Sequence, residues 1–177
     1  LPVQILWLNL VTDGTVGISL ALEPTHKGVL KYPPRSPKEN IINSLIFWRI
    51  ILVAATMLVG TFFMYQIEIN AGADINRART IAFVTMVVFQ VFNVLNCRSL
   101  KESIFKIPFF SNKYIFGSML LSFALSLSTI YLPAMRTIFH TTTLSFVDWL
   151  KIILVCLSII AVVEVEKYIR RKTNAKY

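Results

Sequence analysis

The sequence predicts an all-α, polytopic membrane helix bundle with about five transmembrane helices, the first of them partly unwound. Three observations carry this. The 177 residues are 55% hydrophobic and only 15% charged, with a mean hydropathy of +0.65, so they hold too little polar surface to enclose a water-soluble core. The apolar residues gather into five runs near the ~20 residues needed to cross a bilayer. The net charge of +9 is concentrated between those runs, the pattern of a multi-span protein with basic loops. A nucleic-acid partner is not expected, because long uncharged runs separate the basic residues.

The runs cover residues 1–22, 45–67, 80–96, 114–132 and 144–165. The first is the least apolar and the third is short. Helices are expected, since backbone in lipid must satisfy its own hydrogen bonds, and nothing alternates like a barrel strand. The whole of 1–177 reads as a single transmembrane domain. The chain begins at Leu1 with no Met and no basic stretch before the apolar run. It does not read as a signal peptide, and it is expected to be a fragment of a longer protein. Residues 23–43, with Pro24, Pro33, Pro34 and Pro37, are expected to form an ordered but non-helical cytoplasmic loop. Residues 68–79 read as a short polar loop, and 167–177 as a basic cytoplasmic tail.

An odd number of spans puts the two chain ends on opposite sides. One set of segments then holds thirteen Lys and Arg, among them Lys27, Arg35, Arg98, Lys113 and Arg170, whereas the other holds Arg77, Arg79 and Arg136. The richer side is the cytoplasmic one, so the C-terminus is cytoplasmic. Which membrane hosts the chain is not encoded. Cys97 and Cys156 are far apart and match no metal spacing.

The chemistry concentrates in Asn9-Leu10-Val11-Thr12-Asp13-Gly14, inside the first apolar run. Three- and four-residue spacings bring side chains onto one helix face. Asn9, Thr12 and Asp13 are therefore expected to offer amide, hydroxyl and carboxylate oxygens together, a set that suits Ca²⁺ and also Mn²⁺. A charged residue at a span's centre costs roughly 2.5–3.5 kcal/mol, so Asp13 needs a partner, a proton or an ion. Gly14 and Gly17 weaken the helix, and discontinuous helices are where carriers expose carbonyls to ions. The competing reading is a buried polar contact between helices. Gln90 is the second candidate ligand, with Asn93 near the same face, and interhelical hydrogen bonding is the alternative for both.

Ser118, Ser122 and Ser126 form a small-residue face suited to close helix packing. Glu164 and Glu166, beside Lys167 and Arg170, read as interfacial salt bridges. His26 and His140 are lone loop histidines. No catalytic residue or cofactor-binding loop is found.

The segment Leu1-Pro2-Val3-Gln4-Ile5-Leu6-Trp7-Leu8-Asn9-Leu10-Val11-Thr12-Asp13-Gly14 closely resembles the sixth transmembrane helix of P-type cation-transporting ATPases of the Ca²⁺-pump class. Leu22-Glu23-Pro24 and Tyr32-Pro33-Pro34-Arg35 resemble the cytoplasmic loop that follows it. The five runs match that family's helices six to ten. The resemblance implies that Asn9, Thr12 and Asp13 coordinate the transported ion. It places Gln90, in Val88-Phe89-Gln90-Val91-Phe92-Asn93, where two-site pumps carry an acidic ligand. Glutamine is uncharged, so the implied subgroup is the one-site secretory-pathway or bacterial kind. The family's Asp-Lys-Thr-Gly-Thr phosphorylation sequence is missing from these residues, so ATP and Mg²⁺ would act on other domains of the parent, and this piece alone would be inactive. The expected partners are the lipid bilayer and the remaining helices and cytoplasmic domains of the same pump. Rival readings are an ATP-independent cation transporter or channel segment and a structural membrane-anchoring bundle.

Overall fold

In the computed structural model, residues 1–24, 42–100 and 102–173 are described. Most of the proline-rich segment 23–43, with Lys27 and Arg35, and the last four residues of the basic tail lie outside them. The described residues are helical, with no strand among them. Five helices are long and apolar enough to cross a membrane, and the chain is a multi-pass membrane protein.

The first span has three parts: α1 (Pro2–Trp7), a π-helical stretch (Leu8–Asp13) and α2 (Gly14–Ala21). The expected irregularity is present, and it takes the form of a wide turn within a continuous helix. It lies ahead of the glycines and not at them: Gly14 has ordinary right-handed helical angles. A Cβ added at Gly17 would meet nothing within 4 Å.

The other spans are α3 (Ser44–Asn70), α4 (Ile75–Cys97), α5 (Lys113–Tyr131) and α7 (Phe146–Lys172). Each begins on a side chain that accepts from an unpaired backbone N–H. Asn43 caps Ile46, Asp74 caps Asn76, and Asn112 caps Tyr114 and Ile115. Ser145 and Asp148 cap α7 reciprocally.

Several helices outrun their apolar stretches, because ion pairs carry their polar ends. The polar loop expected over 68–79 shrinks to a turn between Asn70 and Ile75. Arg77 Nε donates to Glu68 Oε2 at 2.9 Å, and Arg77 Nη2 donates to Asp148 Oδ1 and Oδ2 at 2.9 and 3.0 Å. This ties α3, α4 and α7 at one end of the bundle. At the other end Arg49 pairs with Glu166, which also pairs with Arg170. Arg98 pairs with Glu23 at 2.8 Å. Lys167 is fully buried, donating to the Glu102 carbonyl at 3.0 Å beside Glu164 at 3.5 Å. The expected tail is therefore helical through Lys172.

A short helix not expected from hydropathy, α6 (Pro133–Phe139), follows α5. Pro133 cannot continue α5 but is well suited to a first helical turn. His140 ends α6 in the left-handed region, with φ 50°.

Helix α4 is the hub, touching α3, α5, α7 and the π stretch. The core around it includes Met64, Ile81, Val84, Phe89, Ile152 and Ile159. Gly60 lets α3 approach: a Cβ there would sit 2.6 Å from Phe89 Cζ and 3.2 Å from Val155 Cγ1. The serine face of α5 packs on α2 as expected. Ser118 Oγ donates to Ser19 Oγ at 2.8 Å, and the Ser122 and Thr15 hydroxyls lie 2.7 Å apart.

Candidate cation site

The candidate site lies where the π stretch meets α4. A π turn uses i→i+5 pairing, is rare, and recurs at functional sites. Here it turns its residues in two directions. Thr12 is buried, whereas Asn9 and Asp13, four residues apart, are exposed on the bundle.

Thr12, Asp13 and Gln90 line one cavity of about 170 Å³, with Gly17, Asn93 and Cys97 among its other walls. Asn9 does not line it. The expected grouping therefore divides: the structure brings together Thr12, Asp13 and Gln90, and holds Asn9 about one turn above Asp13.

The oxygens of this group are uncommitted. Thr12 Oγ1 and Gln90 Oε1 are buried with no hydrogen-bond partner. Such groups are rare in native proteins, and each calls for an explanation. Most hydroxyls elsewhere in the bundle are spent on their own helix, as when Thr85 Oγ1 donates to the Ile81 carbonyl and Ser126 Oγ to the Ser122 carbonyl. Asp13 has neither a hydrogen bond nor an ion pair among the described residues. Asn93 is partly committed, since its Oδ1 accepts from Asn96 Nδ2 at 3.5 Å.

One carboxylate and two neutral oxygens are the chemistry of a hard-cation site. They do not complete one, because Ca²⁺ takes six to eight oxygens. No group of three or more His, Cys, Asp or Glu is placed to hold a metal among the described residues. The fit is that of one wall of a site.

Sequence reasoning did not single out Cys97 as part of this wall. Gln90, Asn93 and Cys97 follow a three- and four-residue spacing on α4, so helical periodicity alone could have found it. The pairing of Arg49 with Glu166, 117 positions apart, had no such local signal.

The family model described as "Cation transporting ATPase, C-terminus" matches residues 1–169. The chain belongs to the cation-transporting ATPase family, as a form of its C-terminal membrane region. It is 40% identical over 148 residues to the mouse "Calcium-transporting ATPase type 2C member 2", covering 83% of this chain and 16% of that protein. It is 34% identical over 175 residues to "Calcium-transporting ATPase 1" of Yarrowia lipolytica, covering 98% and 19%. It is 36% identical over 153 residues to "Calcium-transporting ATPase" of Bacillus subtilis, covering 86% and 17%. The chain thus spans less than a fifth of the length of these curated relatives.

Proposed function

We propose that this chain is the membrane portion of an ATP-driven Ca²⁺ pump and supplies part of its intramembrane ion site. The observation that carries the proposal is an unpaired carboxylate, Asp13, sharing a cavity with two buried, unpartnered oxygens, Thr12 Oγ1 and Gln90 Oε1. The printed names of the relatives, calcium-transporting ATPases from a mammal, a yeast and a bacterium, agree with it.

In this reading Asp13 supplies the charge, and Thr12 and Gln90 supply neutral oxygens. Asn9, exposed near Asp13, completes the shell together with groups outside these residues. An ion there offsets the cost of placing a carboxylate in an apolar span. Because Gln90 is neutral, the chain supports one divalent site and not two. Mn²⁺ suits the same oxygens as Ca²⁺. ATP and Mg²⁺ act on parts of the pump beyond these residues, where an aspartyl phosphate would form. Closure of those parts would open the site to each side in turn.

The uneven distribution of Lys and Arg supports a cytoplasmic side for Arg98, Lys113 and the C-terminus. The other helices and cytoplasmic domains of the pump are the partners, with lipid around them.

The test is Asp13→Asn in the full-length pump. Ca²⁺-dependent phosphorylation by ATP should disappear. Phosphorylation with unchanged Ca²⁺ dependence would overturn the proposal.

A further inference from the structure

A groove of about 590 Å³ runs between α3 and α7. Leu52, Ala161, Val165 and Ile169 belong to its apolar wall, and Glu166 and Arg170 lie toward one end. Val165 and Ile169 are exposed on the bundle, and both helices are spans, so lipid reaches the groove. From Ala161 to Arg170 the wall runs about 14 Å along α7, at 1.5 Å per residue. That is close to half of the ~30 Å hydrocarbon core, the depth of one leaflet.

The polar end carries more cations than anions. Glu166 accepts from both Arg49 Nη2 and Arg170 Nε, so one carboxylate serves two guanidiniums. Arg49 is buried and spends both Nη groups, on Glu166 and on the Leu100 carbonyl. Arg170 is at the surface, with its side chain 24% exposed. Its Nε goes to Glu166, and its two Nη groups have no protein partner among the described residues. Glu164 is taken by Lys167 and by the Ile104 N–H. Arg171 and Lys172, next along α7, have no carboxylate partner among the described residues. The excess positive charge therefore stands at the rim of the groove, where solvent and head groups can reach it.

The groove and its rim together select an occupant. A leaflet-deep apolar trough takes an acyl chain. A guanidinium with two parallel N–H groups to spare takes a phosphate, which accepts from both at once. A phospholipid supplies the two at the right separation, because its phosphate stands at the head-group end of its chains. A head group with its own cation would set that cation against Arg170, Arg171 and Lys172, whereas one with net negative charge meets only attraction. We propose that this groove binds one anionic phospholipid, its phosphate on Arg170 and an acyl chain along Val165 and Ala161. On the cytoplasmic side proposed for the end of α7, the leaflet carries such lipids. The site is separate from Asp13 and stands whether or not the chain binds Ca²⁺.

The test uses the full-length protein in phosphatidylcholine nanodiscs doped with a phosphatidylserine that carries a mid-chain diazirine. After photolysis, peptide mapping should find adducts at Leu52 or between Ala161 and Ile169. Unlabelled phosphatidylserine should suppress them well beyond the same amount of added phosphatidylcholine. Failure of this wall to label, as when another protein helix covers it, overturns the proposal, and so does equal suppression by the two lipids. Arg170→Gln leaves Glu166 its Arg49 partner, so the fold is expected to hold. It should cut labelling about tenfold, beyond the about fivefold that a basic residue supplies merely by lying near an anionic surface. Lys113→Gln removes a charge away from the groove and sets that baseline. A loss in Arg170→Gln no larger than in Lys113→Gln overturns the assigned phosphate contact. Should Arg170→Gln fail to fold, Ala161→Trp serves instead: it fills the groove and should displace the adducts from α7, and unchanged labelling there overturns the site.

Discussion

Asp13 and Asp148 are both carboxylates in apolar helices of the same bundle, yet their surroundings are opposite. Asp148 is buried and saturated: it accepts from the backbone N–H and hydroxyl of Ser145 and twice from Arg77. Asp13, in the first span, has no such partner among the described residues, and two oxygens of residues lining its cavity, Thr12 Oγ1 and Gln90 Oε1, are also uncommitted. One carboxylate builds the fold, closing a helix start and joining three helices. The other has its lone pairs free among the described residues. What distinguishes a structural from an available acid here is whether its lone pairs are already taken, and not its charge.

This contrast can be broken from either side. The largest expected effect is that of Asp13→Asn, which should remove Ca²⁺ binding in the full-length pump while leaving its melting temperature at or above that of the parent. A collapse in stability would show that Asp13 is structural after all. Arg77→Leu should do the reverse. It leaves Glu68 and Asp148 buried without their cation and should cost about 3 kcal/mol, the low end for a broken buried pair because Arg77 is itself a third exposed. Thermal unfolding in nanodiscs measures this, and Ca²⁺ affinity of the folded fraction should not move. Thr12→Val keeps shape and removes one spare oxygen, so Ca²⁺ affinity should fall about tenfold, as for a lost bond to a charged group. The smallest effect belongs to Ser122→Ala, which removes the contact with Thr15. A loss of about 0.6 kcal/mol is expected, the average for interhelical hydrogen bonds in membranes, with no change in ion binding.

Hydropathy located the spans because lipid demands long apolar helices, and the polar cluster around Asp13 stood out because such residues are expensive there. The helix ends were harder to read. Glu68 and Arg77 look like loop residues one at a time and become helical where they and Asp148 neutralise one another. Arg49 was similarly hidden, since Glu166 and the Leu100 carbonyl are distant in sequence, whereas the local pairs of Lys167 with Glu164 and of Arg170 with Glu166 match the expected salt bridges. The π stretch had no residue signature: Gly14 and Gly17 drew attention downstream, whereas the irregular turn is set by what the helix docks against. For the same reason regular helical spacing placed Asn9 beside Thr12, and the wider turn separates them.

That wider turn has a mechanical consequence. The two ends of the first span are keyed to different neighbours. Gln4 Nε2 donates to the Phe139 carbonyl at 2.9 Å. Beyond the turn, Thr15 and Ser19 are keyed to Ser122 and Ser118 on α5. A π turn contains more residues than an α turn, so the two keyed halves are out of phase, and Leu8–Asp13 absorbs the difference. Removing one residue from this stretch would leave both halves helical but rotate one against the other by roughly 100°. One key would then have to leave its lock. The stretch works as a vernier between two fixed scales, and Asp13 sits at the graduation where they meet.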